Sequence, residues 1–132
     1  MNDKELIQKA IEARNNAYVP YSHFPVGAAV LTDNKEVYIG CNIENASFGL
    51  TNCAERTAVF KAVSEGSSNI TAVAVVADTD GPVSPCGACR QVLSEFLPPN
   101  GKVILTNLKG DTETTTINEL LPGAFGAEDF YE

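Results

Sequence analysis

Cys53, Glu55, Arg56, Cys86 and Cys89 are the residues of this 132-residue chain whose types and spacing could do chemistry together. They fall in two short stretches, Cys53-Ala54-Glu55-Arg56 and Pro85-Cys86-Gly87-Ala88-Cys89-Arg90. Three thiols and a carboxylate suit a catalytic zinc ion. A zinc that only braces a fold is closed by four protein ligands, whereas a catalytic one keeps a position for water, and three cysteines leave that position open. Cys86 and Cys89 are three residues apart and share one face of a helical turn, so both can grip one ion. Cys53 must be delivered by the fold. Both stretches read as helix starts, where unpaired N–H groups and the positive end of the dipole favour thiolate over thiol. Asn52 is the expected N-cap of the first, and Ser84 followed by Pro85 the expected entry to the second.

Three thiolates on a divalent cation carry one excess negative charge, which opposes activation of water unless something draws density from the sulfurs. Arg56, one turn after Cys53, can do so by hydrogen-bonding a ligating sulfur. Glu55 is not needed as a ligand. Side chains two apart on a regular helix point in nearly opposite directions. Cys53 must therefore sit at the cap or first position for Glu55 to lean over the site.

Cys-Ala-Glu followed by Pro-Cys-Gly-Ala-Cys strongly resembles the zinc nucleoside deaminases, most closely the short cytidine deaminases. Tyr21 to Gly27, Asn42-Ile43-Glu44-Asn45 and Leu120 to Phe125 look like the family's remaining landmarks, so the resemblance spans nearly the whole chain. Where the superfamily's general signature has histidine, this chain has Cys53. The resemblance implies one zinc per chain and hydrolytic deamination of cytidine and deoxycytidine in pyrimidine salvage, with Glu55 moving protons. It assigns Phe24 to the nucleobase pocket and Asn42 and Glu44 to the ribose hydroxyls. An amide and a carboxylate suit a sugar diol, since they offer donors and acceptors at fixed spacing. It also implies a homotetramer in which Phe125, and with it Phe48, reaches the substrate of an adjacent subunit. The family often has tyrosine where this chain has Phe48, so a hydroxyl contact to the sugar is missing here. Backbone groups of Ala54 and Ser84, beside the ligands in sequence, are expected to orient the leaving amine.

The length fits one domain over residues 1–132, large enough to bury a core without disulfides. With 9 basic against 17 acidic residues, a net charge of −8 repels phosphate backbones, so a small nucleoside is expected as partner and nucleic acid is not. No charged-then-apolar leader, spanning apolar run or lipidation motif is visible, and one Cys-x-x-Cys fits metal binding in a reducing compartment. A cytoplasmic protein without membrane contact is the expectation.

Hydrophobic spacing predicts an amphipathic helix over 3–17, capped by Asn2 or Asp3, then a proline-broken loop over 18–25. Phe24, in that loop, would by bulk statistics be a core plug. Apolar runs at 26–32 and 36–42 flank Asp33-Asn34-Lys35 as an antiparallel hairpin. Residues 53–65 read as a mostly buried helix stopped at Gly66, and 70–77 as a central strand covered on both faces. A connection then delivers Cys86 just past that strand's carboxyl end, where open α/β sheets place ligands. A helix over 87–96, a strand over 103–106, a threonine-rich edge strand near 111–116 and a short helix over 117–121 with a Thr116/Glu119 capping box complete the chain. The order implies a three-layer α/β/α sandwich around one mixed five-stranded sheet, and the deaminase resemblance implies the same.

Other readings compete. Cys41 could close a structural four-cysteine knot, although such sites usually pair two Cys-x-x-Cys units and this chain has one; otherwise it reads as a small buried apolar residue. His23, the only histidine, reads as a loop residue. Arg90 reads equally as a partner for a surface carboxylate or as support for the ligands. An editing deaminase of nucleic acid would need a stacking or basic channel that this composition lacks. A deaminase of a cytosine-containing antibiotic would lack the Asn42 and Glu44 pair.

Overall fold

Residues 70–77 are valine and alanine at every position but the first two, and they form the middle of the sheet. In the computed structural model, which describes residues 1–130, that strand is β3 (Ile70–Ala77). It is flanked by β1 (Val26–Thr32) and β4 (Lys102–Asn107), with β2 (Val37–Cys41) and β5 (Thr112–Thr116) at the edges. The order β2-β1-β3-β4-β5 is antiparallel except for the β3–β4 pair, so the sheet is mixed, as expected.

Successive strand residues face opposite layers, and the packing follows that period of two. Ala28, Val30, Val73, Val75, Val103 and Leu105 face α2 (Ala54–Ser64) and α3 (Gly87–Phe96). Ala29, Ala74, Val76 and Ile104 face Leu6 and Ala10 of α1 (Asp3–Arg14). That is the three-layer sandwich. Two glycines set its closest approaches. A Cβ at Gly27 would overlap the backbone of α1 at Ala10, and one at Gly40 would overlap α2 at Ala58. Gly40 therefore lets α2, with its chemistry-bearing start, lie directly on β2.

Element ends differ modestly from expectation. α1 stops at Arg14 because the next amides tighten onto carbonyls three residues back, and Tyr18 N then turns to Asn42 O at 3.0 Å. Its N-cap is Asn2, whose Oδ1 accepts from Glu5 N at 2.8 Å. α4 (Ile117–Leu120) begins at Thr116, which accepts from Glu119 N and donates its hydroxyl to the Glu119 carboxylate. No helix among the described residues is long and apolar enough to cross a membrane.

Candidate active site

Two helix starts converge on one point. Cys53 is the N-cap of α2 and Cys86 the N-cap of α3, both in extended backbone, with Cys89 one turn inside α3. The Sγ atoms of Cys53 and Cys86 are 3.9 Å apart, those of Cys86 and Cys89 are 3.2 Å apart, and all three lie within 4.8 Å of one another. Tetrahedral zinc with bonds near 2.3 Å asks for sulfur separations of roughly 3.8 Å, which these distances bracket. The donor set fits zinc, and it numbers three. Cys41 lies outside this group, which removes the four-cysteine knot; it is half-buried rather than the fully buried residue expected, because it sits on the edge strand β2.

The expected Asn52 cap is corrected, and Cys53 takes the cap position that the placement of Glu55 required. Asn52 is held extended by paired bonds with Ile43 at 2.9 Å each way, and its Nδ2 donates to Thr57 Oγ1, so the cap falls one residue later on Cys53. Ser84 precedes the second cap by two residues. There the Cys86 sulfur accepts from Cys89 N at 3.4 Å, and Ser84 Oγ accepts from Arg90 Nη2 instead.

Hydrogen bonding with Cys89, and after it Arg56, holds the Cys53 pKa down at about 5 despite partial burial. Cys89 is pushed up by the same bond and by burial. Arg56 Nη2 lies 3.4 Å from Cys53 Sγ, the contact expected of it, and this bond raises the arginine's own pKa. Its Nε is buried without a protein partner among the described residues. Two helix N-termini and a guanidinium thus face the thiols, a field suited to an anionic ligand set.

Glu55, in the first turn of α2, is only 4 % exposed and is pushed toward the protonated form, chiefly by burial and then by the charge on Cys53. With Cys53 at the cap, the chain is still turning, and the carboxyl shares a cavity of about 220 Å³ with Cys53 and Cys86. The buried Ala54 and Val75 line it together with Phe24, Val26, Asn42, Val83 and Ser84. A cleft with an apolar body and polar groups at one end suits a flat heterocycle. Larger hollows exist, including one of about 410 Å³ under the C-terminal segment, but the ligand cluster is not in them.

Phe24 is 41 % exposed and lines this cavity, so it is a wall and not a core plug. Asn42 fixes that wall: its Oδ1 accepts from Val26 N at 2.9 Å and its Nδ2 donates to Phe24 O at 2.8 Å. Glu44 accepts from Tyr21 N and Ser22 N, both at 3.0 Å, and lies at the mouth loop rather than on the cavity wall. Those contacts, Ser22 foremost, hold its carboxyl below the usual range. Phe48 stacks edge-to-face on Tyr21 with centroids 6.0 Å apart. Phe125 does not line this cavity within the chain; it lines the hollow under the C-terminal segment. Arg90 has no carboxylate partner among the described residues, contrary to one of the two expectations. Spacing also gave no sign of Asn107, whose buried amide donates to Thr79 O, Asp80 O and Asp111 Oδ2, anchoring the connection that leads to Ser84.

The zinc-binding region model of cytidine and deoxycytidylate deaminases matches residues 1–105, which include both cysteine stretches. Over 129 residues the chain is 61% identical to a cytidine deaminase of Sporosarcina psychrophila, covering 98% of this chain and 95% of that one. It is 62% identical over 129 residues to a cytidine deaminase of Halalkalibacterium halodurans, covering 98% of each. Its backbone also superposes on the crystal structure of a cytidine deaminase from Burkholderia pseudomallei with a TM-score of 0.93 at 52% identity, over 95% of this chain and 100% of that one.

Proposed function

Because the chain belongs to the zinc-binding cytidine and deoxycytidylate deaminase family, we propose that it hydrolyses cytidine and deoxycytidine to uridine and deoxyuridine with release of ammonia, as a salvage enzyme of the cytoplasm. The whole chain acts as a single catalytic domain over residues 1–132. Cys53, Cys86 and Cys89 hold one zinc, which when bound supplies a Lewis acid that makes water nucleophilic near neutral pH.

The chain's own residues do the rest. Glu55 accepts a proton from the attacking water and passes it to ring N3, which makes C4 electrophilic. Oxygen bonds to C4, giving a tetrahedral carbon. Glu55 then takes the proton of the new C4 hydroxyl and delivers it to the amino group, so that the C4–N bond breaks as the C4=O bond forms and ammonia leaves. Phe24 supplies a flat wall for the base, Ala54 and Ser84 present backbone groups to the amine, and Asn42 and Glu44 take the sugar hydroxyls. Phe125 contributes from a neighbouring copy in a homotetramer, which accounts for its absence from its own cavity. The nucleoside reading is favoured over an antibiotic substrate by the presence of both Asn42, on the cavity wall, and Glu44, in the loop contact with Tyr21 and Ser22.

One observation supports this most strongly: a nearly inaccessible carboxyl at 4 % exposure shares the cavity with a three-thiol cluster. Glu55→Gln tests it. The variant should bind one zinc per chain and lose about 10²- to 10⁴-fold in turnover, read from ultraviolet absorbance of cytidine. Undiminished turnover would remove Glu55 from its role. Glu44→Ala should retain zinc and weaken nucleoside binding; unchanged affinity would turn the reading toward the antibiotic substrate.

A further inference from the structure

We propose that Arg90 is a positioning residue that fastens the Ser84–Pro85–Cys86 corner, and with it one ligand and one wall of the cleft, to the C-terminal segment. Arg90 follows Cys89 directly. Its guanidinium spends three donors on neutral acceptors: Nε on Pro85 O at 3.1 Å, Nη2 on Ser84 Oγ at 2.9 Å and Nη1 on Leu120 O at 2.9 Å. Arginine's rigid fork suits such a clamp, since three acceptors fix its plane and the plane in turn fixes them.

The corner needs a fastener. Pro85 has no N–H to offer. The preceding tie to the sheet, from Val83 N to Thr106 O, is long at 3.5 Å, and the next backbone bond is already helical, from Arg90 N to Cys86 O at 3.0 Å. Asn107 anchors the connection further upstream, at Thr79 and Asp80. Between those anchors Val83 packs on the core, Pro85 is buried and Cys89 N holds the Cys86 sulfur, while the side-chain hydrogen bonds that orient Ser84 and the Pro85 carbonyl come from Arg90. A carboxylate partner would have turned the guanidinium outward, and among the described residues none does.

The third contact reaches across the molecule. Leu120 ends α4, and the next residue of α3, Gln91, donates from Nε2 to Phe125 O at 2.9 Å. Two successive residues after the ligand Cys89 therefore grip the chain at 120 and at 125. Arg90 thus sets the metal corner and the C-terminal segment in one register.

The inference rests on the zinc-dependent reading, and its test separates the two. Zinc-loaded wild type, Arg90→Gln and Arg90→Lys are compared for zinc release to a chromogenic chelator, for kcat and KM with cytidine, and for amide exchange over 79–86 and 118–126. Arg90→Gln should release zinc about 10- to 100-fold faster and lose a similar factor in kcat/KM, the scale of losing a group that orients ligands. Exchange should quicken in both segments together. Arg90→Lys, which keeps the charge but not the fork, should fall between. Zinc release and kcat/KM within twofold of wild type, with both segments unchanged in exchange, would overturn the proposal whatever the melting temperature does. If Arg90→Gln does not fold, Arg90→Lys decides: faster zinc release and exchange support the clamp, and wild-type values refute it. A wild type lacking zinc or turnover would refute the parent reading, and the exchange comparison would still judge Arg90.

Discussion

Arg56 touches a ligand sulfur without being a ligand, at 3.4 Å from Cys53 Sγ. Arg56→Ala should keep the fold and release zinc about 10- to 100-fold faster, measured by chelator competition. A release rate equal to wild type would make the contact incidental. Glu44 gives a pH prediction. Its folded pKa lies below the ordinary 4.5, so its hold on the Tyr21–Ser22 loop is complete above the unfolded value and lost as pH falls through the folded one. An NMR titration of the Glu44 carboxyl should therefore show a midpoint under 4.5, whereas a midpoint at or above it would contradict the loop contacts. The Cys86–Cys89 pair and the Arg56–Cys53 contact were readable in the sequence because each acts over one helical turn, whereas Cys53 joined the set through the resemblance. Bulk statistics misread Phe24 as a core plug where the resemblance put it in the pocket, and Cys41 was not readable, since its exposure depends on where the sheet's edge falls. Arg90 was least readable of all: its acceptor Leu120 O is 30 residues away and is a backbone carbonyl, which no side-chain pattern encodes.

At the scale of elements, α2 and α3 are seated so that their first residues meet. Gly40 is what allows the close seat, because a Cβ there would lie 2.9 Å from Ala54 O and overlap Ala58 N. Gly40→Val should cost about 1–3 kcal/mol or more by urea denaturation, and should also raise KM by tilting the start of α2. A stable variant with unchanged kinetics would show that α2 has slack. Leu93, fully buried under α3, should cost about 2–5 kcal/mol on truncation to alanine. The helices and strands themselves were legible to within a few residues, since their hydrophobic periods match the faces they bury. The sequence reading offered Asn52 as the cap of α2 while requiring Cys53 at the cap or first position, and expected Ser84–Pro85 as the entry to α3; the caps fall on Cys53 and Cys86. Asn and Ser are the better side-chain caps, but here Asn52 is pinned by Ile43 and Ser84 by Arg90, and cysteine takes the cap so that two sulfurs can meet.

At the scale of the molecule, an acidic surface with a net charge of −8 surrounds a small, partly apolar cleft, which suits an uncharged nucleoside better than a polyanion. Phe48 and Phe125 are 72% and 58% exposed and lie on surfaces that a second copy could cover. Sedimentation should show a tetramer, and Phe125→Ala should weaken cytidine binding while leaving zinc content at one per chain; a monomer with wild-type affinity would contradict that assembly. Three-dimensional convergence was the part of the whole that spacing alone could not supply, because Cys53 and Cys86 are separated by 33 residues and a strand before their sulfurs come within 3.9 Å. The most direct test of the account is metal-titrated turnover. Purified protein is stripped with a chelator, zinc is restored in steps, and cytidine deamination is followed against bound metal. Activity should rise linearly and stop at one zinc per chain. Full turnover by the stripped protein, or one tightly held zinc with no turnover, would contradict it.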